Sequence, residues 1–259
     1  AAKKSSRIAS EGVVYAYVEG NSGALVEVNC ETDFVARTDN FVGLAKEVAA
    51  LVNAKAPRDV EEALTLPAGG GSLGEKLVET VAKIGEKVSF RRFARLETPA
   101  GLPGMVVPYI HAGGKIGVLV AVSGADRSNA AAAALAKDLA MQVAAANPTF
   151  VGRNDVPAPV IEREKTIYRE QARVSGKPDK ILDKIADGKL QKYFGDFCLV
   201  EQAFIKDPDR KVSQLLADAG KDAGAPITVC AFARFQVGEG MEKRSDDLAA
   251  EVAKQLGQG

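Results

Sequence analysis

The chain has 259 residues, 46% hydrophobic and 26% charged, enough apolar material for one large domain or two to three small ones. Lys plus Arg and Asp plus Glu number 34 each, so no net field draws the chain to nucleic acid or to an anionic membrane. No apolar run reaches the length of a membrane span, and no signal-peptide pattern precedes the first strand.

The first predicted element is a hairpin over Val13 to Val28. Its period-two alternation (Val14, Ala16, Val18, Leu25) is that of half-buried antiparallel strands, and Gly20-Asn21-Ser22-Gly23 carries turn chemistry. The second strand runs into the polar turn Asn29-Cys30-Glu31-Thr32-Asp33-Phe34-Val35-Ala36-Arg37. Thr32 and Asp33 are good N-capping residues, so this turn is expected to open a helix. Phe34 at such a junction is either core or a probe aimed at a partner, and pattern alone favours core. A helix is expected over Phe41 to Val52, stopping near Pro57.

Pro67 with Gly69-Gly70-Gly71 reads as a flexible loop before a helix over Leu73 to Ile84. The strand Phe90 to Leu96 follows, and its Arg91-Arg92 pair reads as a solvated edge. A second hairpin, Val107 to Val122, turns at Gly113-Gly114-Lys115. A helix over Ala130 to Ala146 then stops near Pro148. Two helical patterns occupy Val160 to Phe197, separated by Ser175-Gly176-Lys177-Pro178, which makes an antiparallel helical hairpin. A strand spans Val229 to Val237, and Gly238-Glu239-Gly240 reads as a turn. An amphipathic helix over Met241 to Leu256 places Leu248, Val252 and Leu256 on one face.

These elements repeat. Val13 to Val28 aligns with Val107 to Val122 without a gap, matching Tyr15 with Tyr109, Tyr17 with His111 and Gly23 with Gly117. Leu44 to Pro57 pairs with Leu135 to Pro148, and each copy ends on an Arg-bearing strand. The excess in the second copy falls near Val160 to Phe197. The fold class is therefore α+β: two related subdomains, each a small antiparallel sheet packed on helices, plus an inserted helical hairpin and a C-terminal helix. The expected division is 1–10 as linker, 11–100 as the first subdomain, and 101–158 with 198–238 as the second. The inserted hairpin takes 159–197 and a C-terminal helical module takes 239–259.

Catalytic constellations are missing. The single histidine, His111, limits imidazole chemistry, and no Cys or His cluster has zinc-ligand spacing. Gly69 to Lys76 comes near a phosphate-binding loop, but Glu75 stands where Lys is required and no apolar strand leads into it. Cys30, Cys198 and Cys230 are far apart among apolar neighbours and read as buried thiols, not a disulfide framework.

Val28 to Arg37 (VNCETDFVAR) closely resembles the signature of the translation elongation factor Ts family, guanine-nucleotide exchange factors for elongation factor Tu. Further matching blocks follow in the family's order: AAKK at Ala1, KIGEKVSFRR at Lys83, YIHAGGKIGVLV at Tyr109, SGKPDKILDKIADGKLQKYF at Ser175 and FARFQVGEGMEK at Phe232. The resemblance implies a coiled-coil identity for the helical hairpin. It also implies binding to elongation factor Tu in GDP-bound and nucleotide-free forms, with release of GDP but no covalent chemistry, cofactor, metal or direct nucleotide binding. Asp33 and Phe34 take the probe role, flanked by Thr32 and Val35, and Ile84, Gly85, His111 and Ile205 are implied contacts. A plain helix C-cap is the other reading of Ile84-Gly85, and a strand residue that of His111. Lys206 stands where the family often has an apolar residue, which weakens the expectation for Ile205.

The family usually carries a small helical domain before AAKK. Without it, binding and exchange are expected to persist in weaker form. The implied compartment is a bacterial cytoplasm or, second, an organellar matrix or stroma, and ribosome association is left open. The rival reading is a ribosome-associated or structural module that keeps the fold without exchange.

Overall fold

The computed structural model describes residues 7–242. The AAKK block and the helix expected to run to Leu256 therefore lie outside the described residues. β1 (Glu11–Glu19) and β2 (Ser22–Cys30) pair antiparallel around the two-residue loop Gly20-Asn21, with Gly20 at φ 56°. Two helices follow: α1 (Asp33–Ala36) and α2 (Asp39–Lys55). A short helix α3 (Val60–Thr65) leads to the strands β3 (Pro67–Ala68) and β4 (Gly71–Ser72) and the helix α4 (Leu73–Ile84). β5 (Ser89–Glu97) then pairs with the free edge of β2, giving the order β1-β2-β5.

The second half repeats the plan. β6 (Gly104–His111), β7 (Ile116–Ser123) and the last strand form a sheet with β7 central, and α5 (Ala130–Ala146) follows β7. The hairpin helices are α6 (Ala158–Val174) and α7 (Leu182–Phe197). Then come β8 (Ala203–Phe204), β9 (Asp207–Lys211), α8 (Val212–Ala223) and β10 (Thr228–Gln236). The duplication extends beyond what the letters display: β8, β9 and α8 mirror β3, β4 and α4. Both α4 and α8 have 12 residues and end on a left-handed glycine, Gly85 at φ 84° and Gly224 at φ 71°. Gly69 and Gly70 do not form a flexible loop. They sit at φ 66° and 97° in a tight β3-β4 turn, and Ser72 and Glu75 close a capping box on α4.

Each sheet is buried on both faces. One face of β1-β2-β5 packs Val13, Val26, Val28 and Phe90 against Phe41, Leu44, Val48 and Val52 of α2. One face of the second sheet packs Val118, Val120 and Val122 against Ala136, Leu139 and Val143 of α5. The remaining faces meet each other: Val14 and Leu25 lie against Val106, Leu119 and Ala121. The expectation of half-buried strands is thus corrected for β2, where every residue from Gly23 to Cys30 is buried. The matched glycines permit this approach. A Cβ on Gly117 would lie 2.4 Å from Val14 Cγ1, and one on Gly23 would lie 3.0 Å from Val106 Cγ1.

Both last strands carry a bulge at the same place. Glu27 pairs with Arg92 but Val28 with Phe90, leaving Arg91 extra; Ala121 pairs with Ala231 but Val122 with Val229, leaving Cys230 extra. The first bulge lets Phe90 and Phe93 both face the helices, with ring centroids 5.9 Å apart. It also turns both Arg91 and Arg92 toward Glu27, so they are not a solvated edge. The second bulge exposes Cys230, which corrects the expectation of three buried thiols; Cys30 and Cys198 are buried. Downstream, Arg95 Nε donates to Asn53 O at 2.9 Å and Arg234 Nε to Ala144 O at 3.2 Å, so matched arginines cover the C-terminal carbonyls of α2 and α5.

The hairpin registers correct one sequence match. Val13 pairs with Val28, whereas Met105 pairs with Val122. The second connection is four residues long, 112–115, against two in the first. Its gap-free alignment therefore slips by two, which keeps the faces and hides the slip. By pairing, Tyr109 corresponds to Tyr17 and His111 to Glu19, not to Tyr17. The side chains agree: Tyr17 Oη donates to Glu19 at 3.3 Å, and Tyr109 Oη lies 3.2 Å from His111 Nδ1.

In the helical hairpin, Leu182, Ala186, Leu190 and Phe194 are buried at every fourth position of α7. Arg169 to Asp183 (2.6 Å) and Lys165 to Asp187 (2.9 Å) bridge the two helices. Phe150, Val156 and Cys198 join Leu190 and Phe194 in packing its base.

Candidate partner-binding site

The turn after β2 is fixed by its own letters and by one distant glutamate. Thr32 caps α1, its Oγ1 accepting from Val35 N at 3.4 Å. Glu86, immediately after Ile84-Gly85, accepts from Glu31 N (3.1 Å), Thr32 N (3.0 Å) and Thr32 Oγ1 (2.6 Å). Glu31 returns the favour, accepting from Lys87 N at 2.6 Å. Below the turn, the Cys30 thiol donates to Thr32 O at 3.2 Å, and burial pushes its pKa up to about 12. A four-residue helix has no stability of its own, so these ties define its direction.

Phe34 projects from this turn and is 89% exposed. The core position that pattern alone favours is corrected: the ring lies outside. Val35 instead packs against the first core, beside buried Ala36. Asp33 does not provide the side-chain cap. Its carboxylate meets Lys115 Nζ at 2.8 Å and also pairs with Arg37 one turn on. The Lys115 contact, set against some desolvation, holds the Asp33 carboxyl below the usual carboxylate range. Lys115 Nζ also meets Glu11 Oε2 at 2.6 Å. Burial alone would lower the Lys115 pKa, but its two carboxylate partners raise it.

A concavity beside the ring is lined by Glu11, Thr32, Asp33, Phe34, Lys115 and Gly238. Ile84 is half-buried against the first core and Gly85 is exposed at the end of α4; Glu86 joins them to the Thr32 turn. His111 is exposed at the end of β6, on the hairpin whose connection delivers Lys115. Ile205 stands apart, 40% exposed between β8 and β9, its amide donating to buried Gln142 at 2.8 Å. Thr32, Asp33, Phe34, Val35, Ile84 and Gly85 thus form one neighbourhood, approached by the His111 hairpin and not by Ile205. Glu86 and Lys115, which tie down this turn, carry no signal in the sequence, because nothing in their local pattern shows a partner more than fifty residues away.

Among the described residues, no group of three or more His, Cys, Asp or Glu side chains could hold a metal ion. At the glycine-rich loop, Ser72 N donates to Glu75 Oε2 at 2.7 Å, so a carboxylate occupies the place an anion would take. No described helix is long and apolar enough to cross a membrane.

A family model described as Elongation factor TS matches residues 31–239. Elongation factor Ts of Syntrophotalea carbinolica is 47% identical over 255 residues, covering 98% of this chain and 83% of that protein. Elongation factor Ts of Clostridium perfringens is 46% identical over 260 residues, covering 99% of this chain and 84% of that protein.

Proposed function

The chain belongs to the elongation factor Ts family, and on that premise we propose that it binds elongation factor Tu and accelerates GDP release. The observation that carries this reading is the Phe34 ring, exposed on a turn that is otherwise tied down at every side. A large apolar side chain held in water by a rigid support gains by entering a partner. Burial of a Phe is worth roughly 1.5–3 kcal/mol, or about one to two decades of affinity.

The mechanism is differential binding. GDP is anchored in its carrier through phosphates and Mg²⁺. Phe34 enters a gap near that corner, and Ile84, Gly85 and His111 supply contacts around it, with Ile205 touching a more distant part of the partner. The chain then binds the nucleotide-free form better than the loaded form, and nucleotide weakens its grip by the same ratio. No covalent bond changes, and the equilibrium between free GDP and its carrier is untouched. In this reading 11–100 and 101–158 with 198–238 are the two halves of the scaffold, 159–197 is an arm, and the setting is a bacterial cytoplasm.

The test is capture of elongation factor Tu on the immobilised chain, repeated with excess GDP. Retention without nucleotide and elution by GDP are expected. Retention that GDP leaves unchanged would instead identify a passive scaffold.

A further inference from the structure

We infer that Lys115 is a positioning residue for exchange: supplied by the second half of the molecule, it aims the Phe34 ring carried by the first. The inference rests on the exchange reading and adds to it a residue that reaches the partner only through another side chain.

The geometry is specific. Lys115 closes the connection between β6 and β7, and its backbone oxygen accepts from Val237 N at 2.9 Å, which ties it to the end of β10. Its ammonium crosses to the first half and meets Glu11 of β1 at 2.6 Å and Asp33 of α1 at 2.8 Å. Asp33 is the residue before Phe34 and opens a helix of four residues, too short to hold a ring in place unaided. Glu86 secures the start of that turn, and Lys115 secures the side from which the ring leaves. Both Lys115 and Phe34 line the same concavity, so a partner that takes in the ring also withdraws water from the Lys115 pairs and strengthens them. Asp33 already holds Lys115 and Arg37 in the free chain. Its contribution is therefore orientation through these pairs, not a free charge offered to the partner.

A positioning residue has a distinctive kinetic signature. If removal of the ammonium leaves the ring correctly aimed in about a tenth of molecules, stimulated GDP release falls about tenfold. The loss must vanish once the ring itself is gone. The experiment is release of a fluorescent GDP analogue from elongation factor Tu with the parent chain, Lys115→Met, Lys115→Arg, Phe34→Ala and the double variant Phe34→Ala/Lys115→Met. Melting temperatures are recorded for each. The expected result is a slow Lys115→Met of near-parental melting temperature and rescue by Lys115→Arg, with a double variant no slower than Phe34→Ala alone.

Parental release rates for Lys115→Met would overturn the inference, as would a further loss in the double variant. A loss that merely follows a fallen melting temperature, unrescued by Arg, would assign Lys115 to stability and equally overturn it. If the parent chain leaves GDP release at its intrinsic rate, the exchange reading itself fails, which is a separate and distinguishable result.

Discussion

Phe34 and Val35 are adjacent apolar residues with opposite fates. One turn of helix sends Val35 to the first core and Phe34 into water. Sequence pattern could not separate them, because a turn of four residues is too short to express a period. The thiols offer a similar contrast. Cys30 and Cys198 are buried with pKa values pushed up to about 12 and about 11, whereas Cys230 is turned outward by a bulge. A thiol reagent at neutral pH is expected to modify Cys230 rapidly in the native chain and the other two only after denaturation. Fast native labelling of Cys30 or Cys198, read by mass spectrometry, would contradict the burial described.

At the scale of elements, α2, α5 and the helical hairpin were legible because three- and four-residue spacing and flanking prolines mark them plainly. The left-handed caps at Ala56 and Asn147, each before a proline, close α2 and α5 alike. Sheet-on-sheet packing was not legible. Ala24-Leu25-Val26 reads the same whether a strand is covered on one face or on two, and a bulge leaves no periodic trace. The matched glycines Gly23 and Gly117 show the missing constraint, since each faces the opposite sheet. Gly117→Val should force Val14 and Leu25 aside and destabilise the chain by about 1–3 kcal/mol. Urea unfolding checks this, and an unchanged midpoint would mean that the sheets do not approach as described.

At the scale of the whole molecule, one buried carboxylate fastens the halves. Glu27 is fully buried in β2 and accepts from Arg91 (3.0 Å), Arg92 (2.6 Å), Asn29 (3.1 Å) and Gly238 N (2.8 Å), the last following β10. Arg92 also lies 4.3 Å over the Phe235 ring of the second sheet. Burial alone would raise the Glu27 pKa, but the hydrogen bonds from Gly238, Asn29 and Arg92 outweigh it and hold the group below its ordinary value. A depressed carboxylate contributes stability that is complete above its unfolded pKa and is lost as pH falls through the folded one. Glu27→Gln breaks a buried ion pair with two arginines and should cost about 3 kcal/mol at neutral pH. The gap to the parent chain should narrow as the pH falls below the ordinary carboxylate value and through the lower folded pKa of Glu27. Melting curves across that range check the sign, and a gap that widens in acid would contradict it.

Under the proposed exchange function, the exposed Phe34 ring on its rigid two-sheet scaffold is what loosens GDP. The most direct test compares the rate of GDP release from elongation factor Tu with the parent chain and with Phe34→Ala, alongside their melting temperatures. Stability should change by no more than about 0.5 kcal/mol, as for an exposed site, while stimulated release falls by about tenfold or more. Undiminished release, or a loss of about 3–5 kcal/mol in stability as for a core Phe, would contradict the account.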